Sequence, residues 1–173
     1  MFVENLTAVA VCIMDGGMKE LSAVAEQMAA HAGRLTLYAR QWLDAGLAQD
    51  VVQGALVSLL SQRSCPDDPL AWMYVAVRNG AIDALRSAER RRRRERSVVE
   101  QSNGWFEPSP GAGLDAEAAR LAVERLPREL REIVVLRIWG ELGFAQIARI
   151  TQVSVGTAHQ RYTEAMEQLR QVL

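Results

Sequence analysis

The sequence predicts an all-α protein made of two small helical domains joined by a flexible linker. Ala, Leu, Glu, Arg and Gln are frequent, and these residues favour helices. Apolar residues make up 49% of the 173-residue chain, which is enough for real cores, and they recur at helical spacing. Long alternating runs of β-branched residues, which would indicate strands, are absent from the sequence.

The linker is indicated by composition. Residues 97–115 are rich in Ser, Gly, Pro and Asn, which is typical of a flexible connection. We therefore predict an N-terminal domain over residues 18–96 and a C-terminal domain over residues 116–173. Residues 1–17 are expected to form a poorly ordered extension. Their apolar run lacks a positive flank and is too short to span a bilayer, so neither a signal peptide nor a membrane association is predicted.

Composition also argues against a catalytic or metal-dependent role. Cys12 and Cys65 are far apart and match no metal or redox spacing, which predicts reduced thiols in the cytoplasm. The sequence contains no Gly-rich phosphate loop, no metal-spaced His/Cys set and no nucleophile elbow. We predict no catalytic residue, no metal, no cofactor and no small-molecule substrate. The formal net charge is −1, so only the distribution of charge can indicate a polyanionic partner.

The C-terminal domain carries the pattern of a helix-turn-helix. Residues 115–125 resume a helix, and the next helix has apolar residues at Leu126, Leu130, Ile133, Val134 and Ile138. A short helix from Phe144 to about Ile150 and a tight turn precede a final helix, whose N-terminus Ser154 can cap. The apolar stripe of that final helix is Val155, Ala158, Tyr162, Ala165, Leu169 and Val172.

In a helix-turn-helix the second helix presents its N-terminal residues to the major groove of DNA. The outward residues here are small, polar or positive, and such residues suit base edges and phosphates. They are Gly156, Thr157, His159, Gln160 and Arg161. A plain three-helix bundle with a solvated face is the alternative that periodicity leaves open.

Three helical patterns fill the N-terminal domain, over residues 18–44, 48–62 and 70–89. Asp67 and Asp68 precede the third pattern. A carboxylate there can cap the helix, because the helix dipole favours negative charge at its N-terminus.

The third helix carries residues suited to nucleic acid. Trp72, Asn79 and Arg86 fall seven residues apart on one stripe. An aromatic ring on that stripe can stack on an unpaired base, worth about 1–3 kcal/mol per base. Simple burial of Trp72 in the core is the alternative, and Asp83 can pair with Arg86 at i, i+3.

A dense run of arginine follows. The eleven residues from Arg86 to Arg96 hold seven Arg and two Glu, a local charge of +5. We name its centre the arginine ledge and predict that it binds phosphates, which would make DNA affinity fall steeply with salt. The arginine ledge consists of Arg90, Arg91, Arg92, Arg93 and Arg94.

Both domains resemble one family. Leu126-Pro127, Arg131-Glu132, Val135-Leu136-Arg137, Leu142, Ile147-Ala148 and Ser154-Val155-Gly156-Thr157 resemble region 4 of bacterial RNA polymerase sigma factors, of the extracytoplasmic-function class. Ala71-Trp72-Met73-Tyr74, Val77-Arg78-Asn79, Ile82-Asp83 and Leu85-Arg86 resemble regions 2.3 and 2.4. Asp50-Val51-Val52-Gln53 resembles the region 2 signature that docks on the largest polymerase subunit.

The resemblance implies a sigma factor that directs core RNA polymerase to promoter DNA and assists strand opening. It implies polymerase binding by Asp50, Val51, Val52 and Gln53. It adds Tyr74, Arg78 and Ser154 to the DNA-binding residues above, and an anti-sigma factor to the expected partners. The chain departs from the family at Gly54, Gly143, Gln146, Gln152, His159 and Gln160, with Gly54 and Gln146 each standing where the family usually has Glu.

Two other functions stay open at this point. Gly54 and the acidic C-terminal half of the last helix are compatible with a helix-turn-helix regulator that does not engage polymerase. A sigma-like module that binds an anti-sigma factor without DNA is the third interpretation. Binding to core polymerase and to duplex DNA separates the three.

Overall fold

The structure is a computed structural model and describes residues 17–95 and 114–172. In these ranges it contains eight α-helices and no β-strand, which confirms the all-α prediction. The predicted extension over residues 1–17 and the linker over residues 97–115 lie outside the described residues, apart from their helical ends. The helices are α1 Gly17–Ala30, α2 Ala32–Ala39, α3 Ala45–Leu60, α4 Pro69–Glu95, α5 Leu114–Arg125, α6 Arg128–Ile138, α7 Phe144–Thr151 and α8 Val155–Arg170.

The N-terminal unit consists of α1 to α4. The prediction of one helix over residues 18–44 is wrong, because the helix is interrupted at His31, whose backbone angles are φ −90° and ψ 1°. The apolar stripe continues across this break, so periodicity does not reveal it. Asp44 then caps α3 by accepting a hydrogen bond from the Leu47 amide at 2.9 Å. The unit's core is filled by α2, α3 and α4 side chains that are fully buried: Leu35, Tyr38, Leu59, Met73 and Val77.

Helix α4 is longer than predicted. It was expected to end near residue 89 but runs for 27 residues, to Glu95, through most of the arginine run. Its N-terminus is capped as predicted, because Asp68 Oδ1 accepts a hydrogen bond from the Ala71 amide at 3.0 Å.

The C-terminal unit consists of α5 to α8, with α7 and α8 forming the helix-turn-helix. Ile133, Leu136, Leu142, Ile147 and Ile150 are fully buried between these helices. Parts of the predicted apolar stripes are wrong. Ile138, Val155 and Val172 are 45%, 52% and 59% exposed, and each lies at or just beyond the end of a helix.

The turn between α7 and α8 is tight. Gln152 caps α7 in the left-handed region, at φ 60° and ψ 39°. Glycine adopts that conformation without penalty, whereas for a residue with a Cβ it costs about 1–2 kcal/mol. Gln152 therefore holds a strained position in this turn.

The two units pack against each other. Helix α4 lies on α7 and α2 lies on α6. Trp42 lies under the Arg128 guanidinium, 5.1 Å from the ring centroid. At the edge, Arg34 and Glu141 form a bidentate ion pair with both N–O distances at 2.9 Å. That pair is exposed, so it stabilises the contact only weakly.

Candidate nucleic-acid interface

The N-terminal half of α8 forms the surface of the helix-turn-helix. Ser154 Oγ accepts a hydrogen bond from the Thr157 amide at 3.0 Å and lies 2.8 Å from the Thr157 hydroxyl. This is the predicted N-cap, and it sets the direction in which α8 leaves the turn. Gly156, His159 and Gln160 are exposed, while Thr157 and Arg161 are partly exposed. The predicted reading residues therefore share one accessible face.

A cluster of side chains supports this face from below. The Phe144 ring packs edge-on against His159 and Tyr162, with centroids 5.0 Å and 5.6 Å apart. Arg137 lies over the Phe144 ring, 5.1 Å from its centroid, and donates a hydrogen bond to the Leu142 carbonyl at 2.8 Å. Phe144 thus contacts His159 directly, and Arg137 contacts Phe144. Sequence analysis missed both, since nothing in spacing shows which ring backs a recognition helix.

The stripe on α4 is partly accessible. Trp72 is half-buried, whereas Asn79 and Arg86 are exposed. Arg86 lies 3.6 Å from Asp83, the predicted i, i+3 pair, and stays 66% exposed. Trp72 is thus neither fully buried nor fully exposed. This position is compatible in part with packing in the core and in part with stacking on a base.

The arginine ledge begins on the same helix. Arg90 and Arg91 are exposed, and Arg90 donates a hydrogen bond to the Ser87 hydroxyl at 2.9 Å. The side chains of Arg92, Arg93 and Arg94 lie outside the described residues.

Tyr74 and Arg78 are placed differently from the prediction. Tyr74 is 1% exposed, because it packs at the contact between the two units and its ring meets Tyr38 edge-on at 5.2 Å. Burial raises the pKa of Tyr74 to about 12. In this arrangement the Tyr74 side chain is buried, and its role in DNA binding stays a prediction.

Arg78 forms an ion pair with a carboxylate of the C-terminal unit. Its Nε donates to Glu132 Oε1 at 2.7 Å, and the Tyr38 hydroxyl donates to the same oxygen at 2.6 Å. Burial by itself lowers the pKa of Arg78, but the hydrogen bond to Glu132 and the charge of that residue outweigh burial and raise it. Among the described residues, Glu132 is the charged residue that is buried, with 5% of its surface exposed. Its charge is balanced there by Arg78.

The predicted polymerase-binding residues divide into two pairs. Asp50 and Gln53 are exposed on the outer side of α3. Val52 is 3% exposed and belongs to the core, and its predicted contact with polymerase stays a prediction. Val51 is half-buried and faces α4, where a Cβ at Gly80 would lie 3.0 Å from its Cγ1. Helical period decides this division, since residues 50 and 53 share a face that 51 and 52 do not.

A groove runs beside these residues. It has a volume of about 600 Å³ and lies between α2 and α3, with Arg40, Gln49 and Gln53 among its polar lining residues. Leu47 and Val57 are 44% and 63% exposed on α3. The outer side of α3 is therefore a mixed apolar and polar surface.

Within residues 17–95 and 114–172, no three His, Cys, Asp or Glu side chains come together in a way that could hold a metal ion. In the same part of the chain no helix has the length and hydropathy needed to cross a membrane.

Comparison with known proteins identifies both units. The family model described as Sigma-70 region 2 matches residues 28–91, and that described as Sigma-70, region 4 matches residues 116–169. The ECF RNA polymerase sigma factor EcfG of Rhodopseudomonas palustris (strain TIE-1) is 31% identical over 139 residues, which is 75% of this chain and 73% of that protein. The chain belongs to the extracytoplasmic-function (ECF) RNA polymerase sigma factors.

Further relatives agree with this assignment. The ECF RNA polymerase sigma factor SigJ of Mycobacterium tuberculosis (strain ATCC 25618 / H37Rv) is 31% identical over 133 residues, covering 68% of this ECF sigma factor and 40% of SigJ. The fold matches the sigma factor RpoE of Bartonella quintana, solved with the anti-sigma factor NepR. The TM-score is 0.67 at 20% identity, over 85% of this chain and 94% of that one.

The two matched regions contain most of the interface. The region 2 match includes Asp50, Gln53, Trp72 and Asn79 and ends at Arg91, and the region 4 match includes the α7–α8 unit. The predicted family and the order of its regions are confirmed. As an ECF sigma factor, the chain is a regulatory protein of transcription initiation.

Proposed function

We propose that this ECF sigma factor directs core RNA polymerase to promoter DNA and assists the opening of its strands. Residues 18–96 would bind polymerase and the downstream promoter element, and residues 116–173 the upstream element. The observation that carries the proposal is the pairing of an accessible recognition face on α8 with an exposed polar and basic stripe on α4, in a chain whose halves match sigma-70 regions 4 and 2.

Reading of duplex DNA is assigned to α8. Gly156 is exposed and has no side chain, so the backbone of the helix can approach a groove closely at this residue. Gln160 offers a donor and an acceptor to a base edge, and Arg161 a donor to a base or a phosphate. His159, which packs against Phe144, precedes them on the helix. Residues 124–173 carry seven Arg and six Glu, so this unit adds little long-range attraction and needs the rest of the complex for affinity.

Strand opening is assigned to α4. Trp72 supplies a partly exposed ring for stacking, Asn79 supplies amide hydrogen bonds, and Arg86 with the arginine ledge supplies positive charge along the backbone. Each stacked base would contribute about 1–3 kcal/mol toward the cost of unpairing it.

Polymerase binding is assigned to the outer side of α3. Asp50 and Gln53 offer polar contacts beside the exposed apolar surface of Leu47 and Val57. A surface with an apolar centre and polar surroundings is typical of protein–protein interfaces. Core RNA polymerase and promoter DNA are the proposed partners, and an anti-sigma factor is a third, as in the Bartonella quintana complex.

We further propose that the protein catalyses no reaction of its own and acts in the cytoplasm, where bacterial polymerase meets DNA. The polymerase performs the bond chemistry, and the sigma factor contributes only binding and orientation.

Run-off transcription tests the proposal. Core polymerase of the source organism is mixed with the purified protein and fragmented genomic DNA of that organism, and the transcripts are sequenced. We expect start sites that depend on the protein and share an upstream motif. His159→Ala with Gln160→Ala should abolish the motif-dependent transcripts, while Glu167→Ala, exposed further along α8, should retain them. Polymerase binding without initiation would favour the interaction module, and duplex binding without polymerase binding would favour the regulator.

The arginine ledge has a separate test. Replacing Arg90 to Arg94 with Gln should weaken DNA binding for every sequence and flatten the dependence of log K on log salt, by about one unit for each phosphate that the variant no longer neutralises. Replacement by Lys keeps the charge and should keep the slope. An unchanged slope in the Gln variant would show that the arginine ledge does not contact DNA phosphates.

A further inference from the structure

An apolar side chain stands at the tip of the duplex-reading helix. Val155 is the first residue of α8, and its spacing with Ala158, Tyr162 and Ala165 predicts a place in the core. In the structure Ala158 and Ala165 are fully buried, whereas Val155 is 52% exposed. On the first two turns of α8, all of whose residues the structure describes, Val155 is the large apolar side chain that is exposed. About half of this side chain is therefore free to contact a partner of the helix.

Val155 lies on the face assigned to DNA reading. His159 follows it by four residues, so their side chains are neighbours on the helix surface. Gly156, the next residue, has no side chain that could cover Val155. The Ser154 hydroxyl accepts a hydrogen bond from the Thr157 amide at 3.0 Å, and this cap fixes the turn that presents Val155. The branched Cβ of valine restricts χ1, so the two methyl groups occupy few positions.

The chemistry of an isopropyl group selects one feature of the major groove. Guanine, cytosine and adenine present hydrogen-bonding atoms there, whereas thymine presents a C5-methyl group beside its O4 acceptor. The Val155 side chain has no donor or acceptor, so a polar base-edge atom pressed against it would lose water without gaining a hydrogen bond. A thymine methyl group loses no such bond and gains an apolar contact. Of the four bases, thymine therefore suits Val155 best.

We infer that Val155 is a specificity-determining residue of α8 that reads the C5-methyl group of one thymine in the upstream promoter element. The inference deepens the proposed function and rests on it for the entry of α8 into the major groove. It adds an apolar contact to the hydrogen bonds assigned to Gln160 and Arg161. It also explains why a residue on the apolar stripe of α8 is exposed at the tip of the helix.

The test begins with the DNA sequence that the full chain binds. A duplex library with a central random block is selected with the purified chain, alone and together with core polymerase of the source organism, and the bound DNA is sequenced. We expect a motif with at least one preferred thymine. His159→Ala should relax the preference at a base pair within about two steps of that thymine, because one helical turn rises about 5.4 Å and base pairs stack about 3.4 Å apart.

Deoxyuridine then probes the methyl group by itself, because uracil differs from thymine by the absence of that group. Each preferred thymine of the selected duplex is replaced in turn, and affinity is measured by fluorescence anisotropy. Burial of one methyl group corresponds to about a fourfold change in an equilibrium constant. We expect one replacement to weaken binding of the starting protein about fourfold. Val155→Ala should bind the thymine duplex about as weakly and should not distinguish it from the uracil duplex.

Two variants serve as controls. Val172 is 59% exposed just beyond the C-terminal end of α8, so Val172→Ala removes the same two methyl groups far from the tip of the helix. This variant should retain the fourfold preference for thymine. Val155→Thr keeps one γ-methyl group at the site and should retain part of the preference. Circular dichroism confirms that each variant is folded.

The outcomes separate the inference from the proposed function. If no uracil replacement weakens binding, or if Val155→Ala keeps the full preference for thymine, the inference is overturned, while transcription from the selected motif leaves the proposed function intact. If Val155→Ala instead loses binding to core polymerase, the partner of Val155 is a protein and the inference is also overturned.

The reverse separation is measurable in the same experiment. If the thymine preference depends on Val155 but the chain neither binds core polymerase nor directs transcription, the inference stands and the proposed function fails by itself. If no motif is selected with or without polymerase, both fail.

Discussion

Gly54 offers a clean test of how α3 is stabilised. It lies in the middle of this helix, exposed, and a Cβ built on it would meet no atom within 4 Å. Replacement by Ala therefore costs no packing, and it removes the entropic disadvantage of glycine inside a helix. That disadvantage is about 0.8–1.0 kcal/mol. We expect Gly54→Ala to raise the free energy of unfolding by about that amount.

Thermal unfolding of the full chain, followed by circular dichroism, measures the effect. For a protein of this size 1 kcal/mol shifts Tm by about 2–4 °C. The Gly54→Ala variant should therefore melt about 2–4 °C higher than the starting protein at the same concentration and pH.

Gly80 is the matched control. It also lies inside a helix, α4, so the intrinsic gain from Ala is the same, but its Cβ would lie 3.0 Å from Val51 Cγ1. The Val51 side chain would have to shift by a few tenths of an ångström, and overpacking of this kind costs about 1–3 kcal/mol. We expect Gly80→Ala to gain nothing or to melt lower. Equal rises in Tm for both variants, or no rise for Gly54→Ala, would refute the reasoning.

Two further predictions follow from backbone strain and burial. Gln152→Gly should raise the free energy of unfolding by about 1 kcal/mol in a urea titration, because Gln152 sits at φ 60°, whereas Gln152→Ala keeps the strain and should not gain. Tyr74 has a pKa raised by burial from 10.0 to about 12, so the unfolded chain releases its proton first. The contribution of neutral Tyr74 to the free energy of unfolding is fully present below about pH 10 and falls by about 3 kcal/mol between about pH 10 and pH 12. Tyr74→Phe should remove this part of the alkaline loss and leave the part due to Tyr38, whose pKa burial and the neighbouring Glu132 charge also raise. An alkaline profile that is the same with and without Tyr74 would contradict its burial.

Features that depend on a few neighbouring residues were predictable from the sequence. The Ser154 cap of α8 and the Asp68 cap of α4 are both present, because a side chain three residues before an amide caps a helix through local geometry alone. The helix-turn-helix was predictable for the same reason, since its two helices are joined by a short turn.

Features that depend on which helix covers which face were not predictable. Val52 and Tyr74 were assigned to partner binding from motif position, and both are buried. Periodicity identifies the residues that share a face but not the element that packs on it. Glu132 is charged and resembles a surface residue in the sequence, yet it is buried because Arg78 and Tyr38 come to it from 54 and 94 residues away.

The sequence by itself determined the helical class, the caps, the order of the two sigma regions and the outward face of α8, since each of these rests on short-range spacing and side-chain chemistry. Only the tertiary structure decided that α7 rests on α4, that Gln146 meets Asp68, and that Tyr74 and Arg78 are covered. Those contacts join residues distant in the chain, and their partners are selected by the shape and charge of two folded surfaces, which no local pattern encodes.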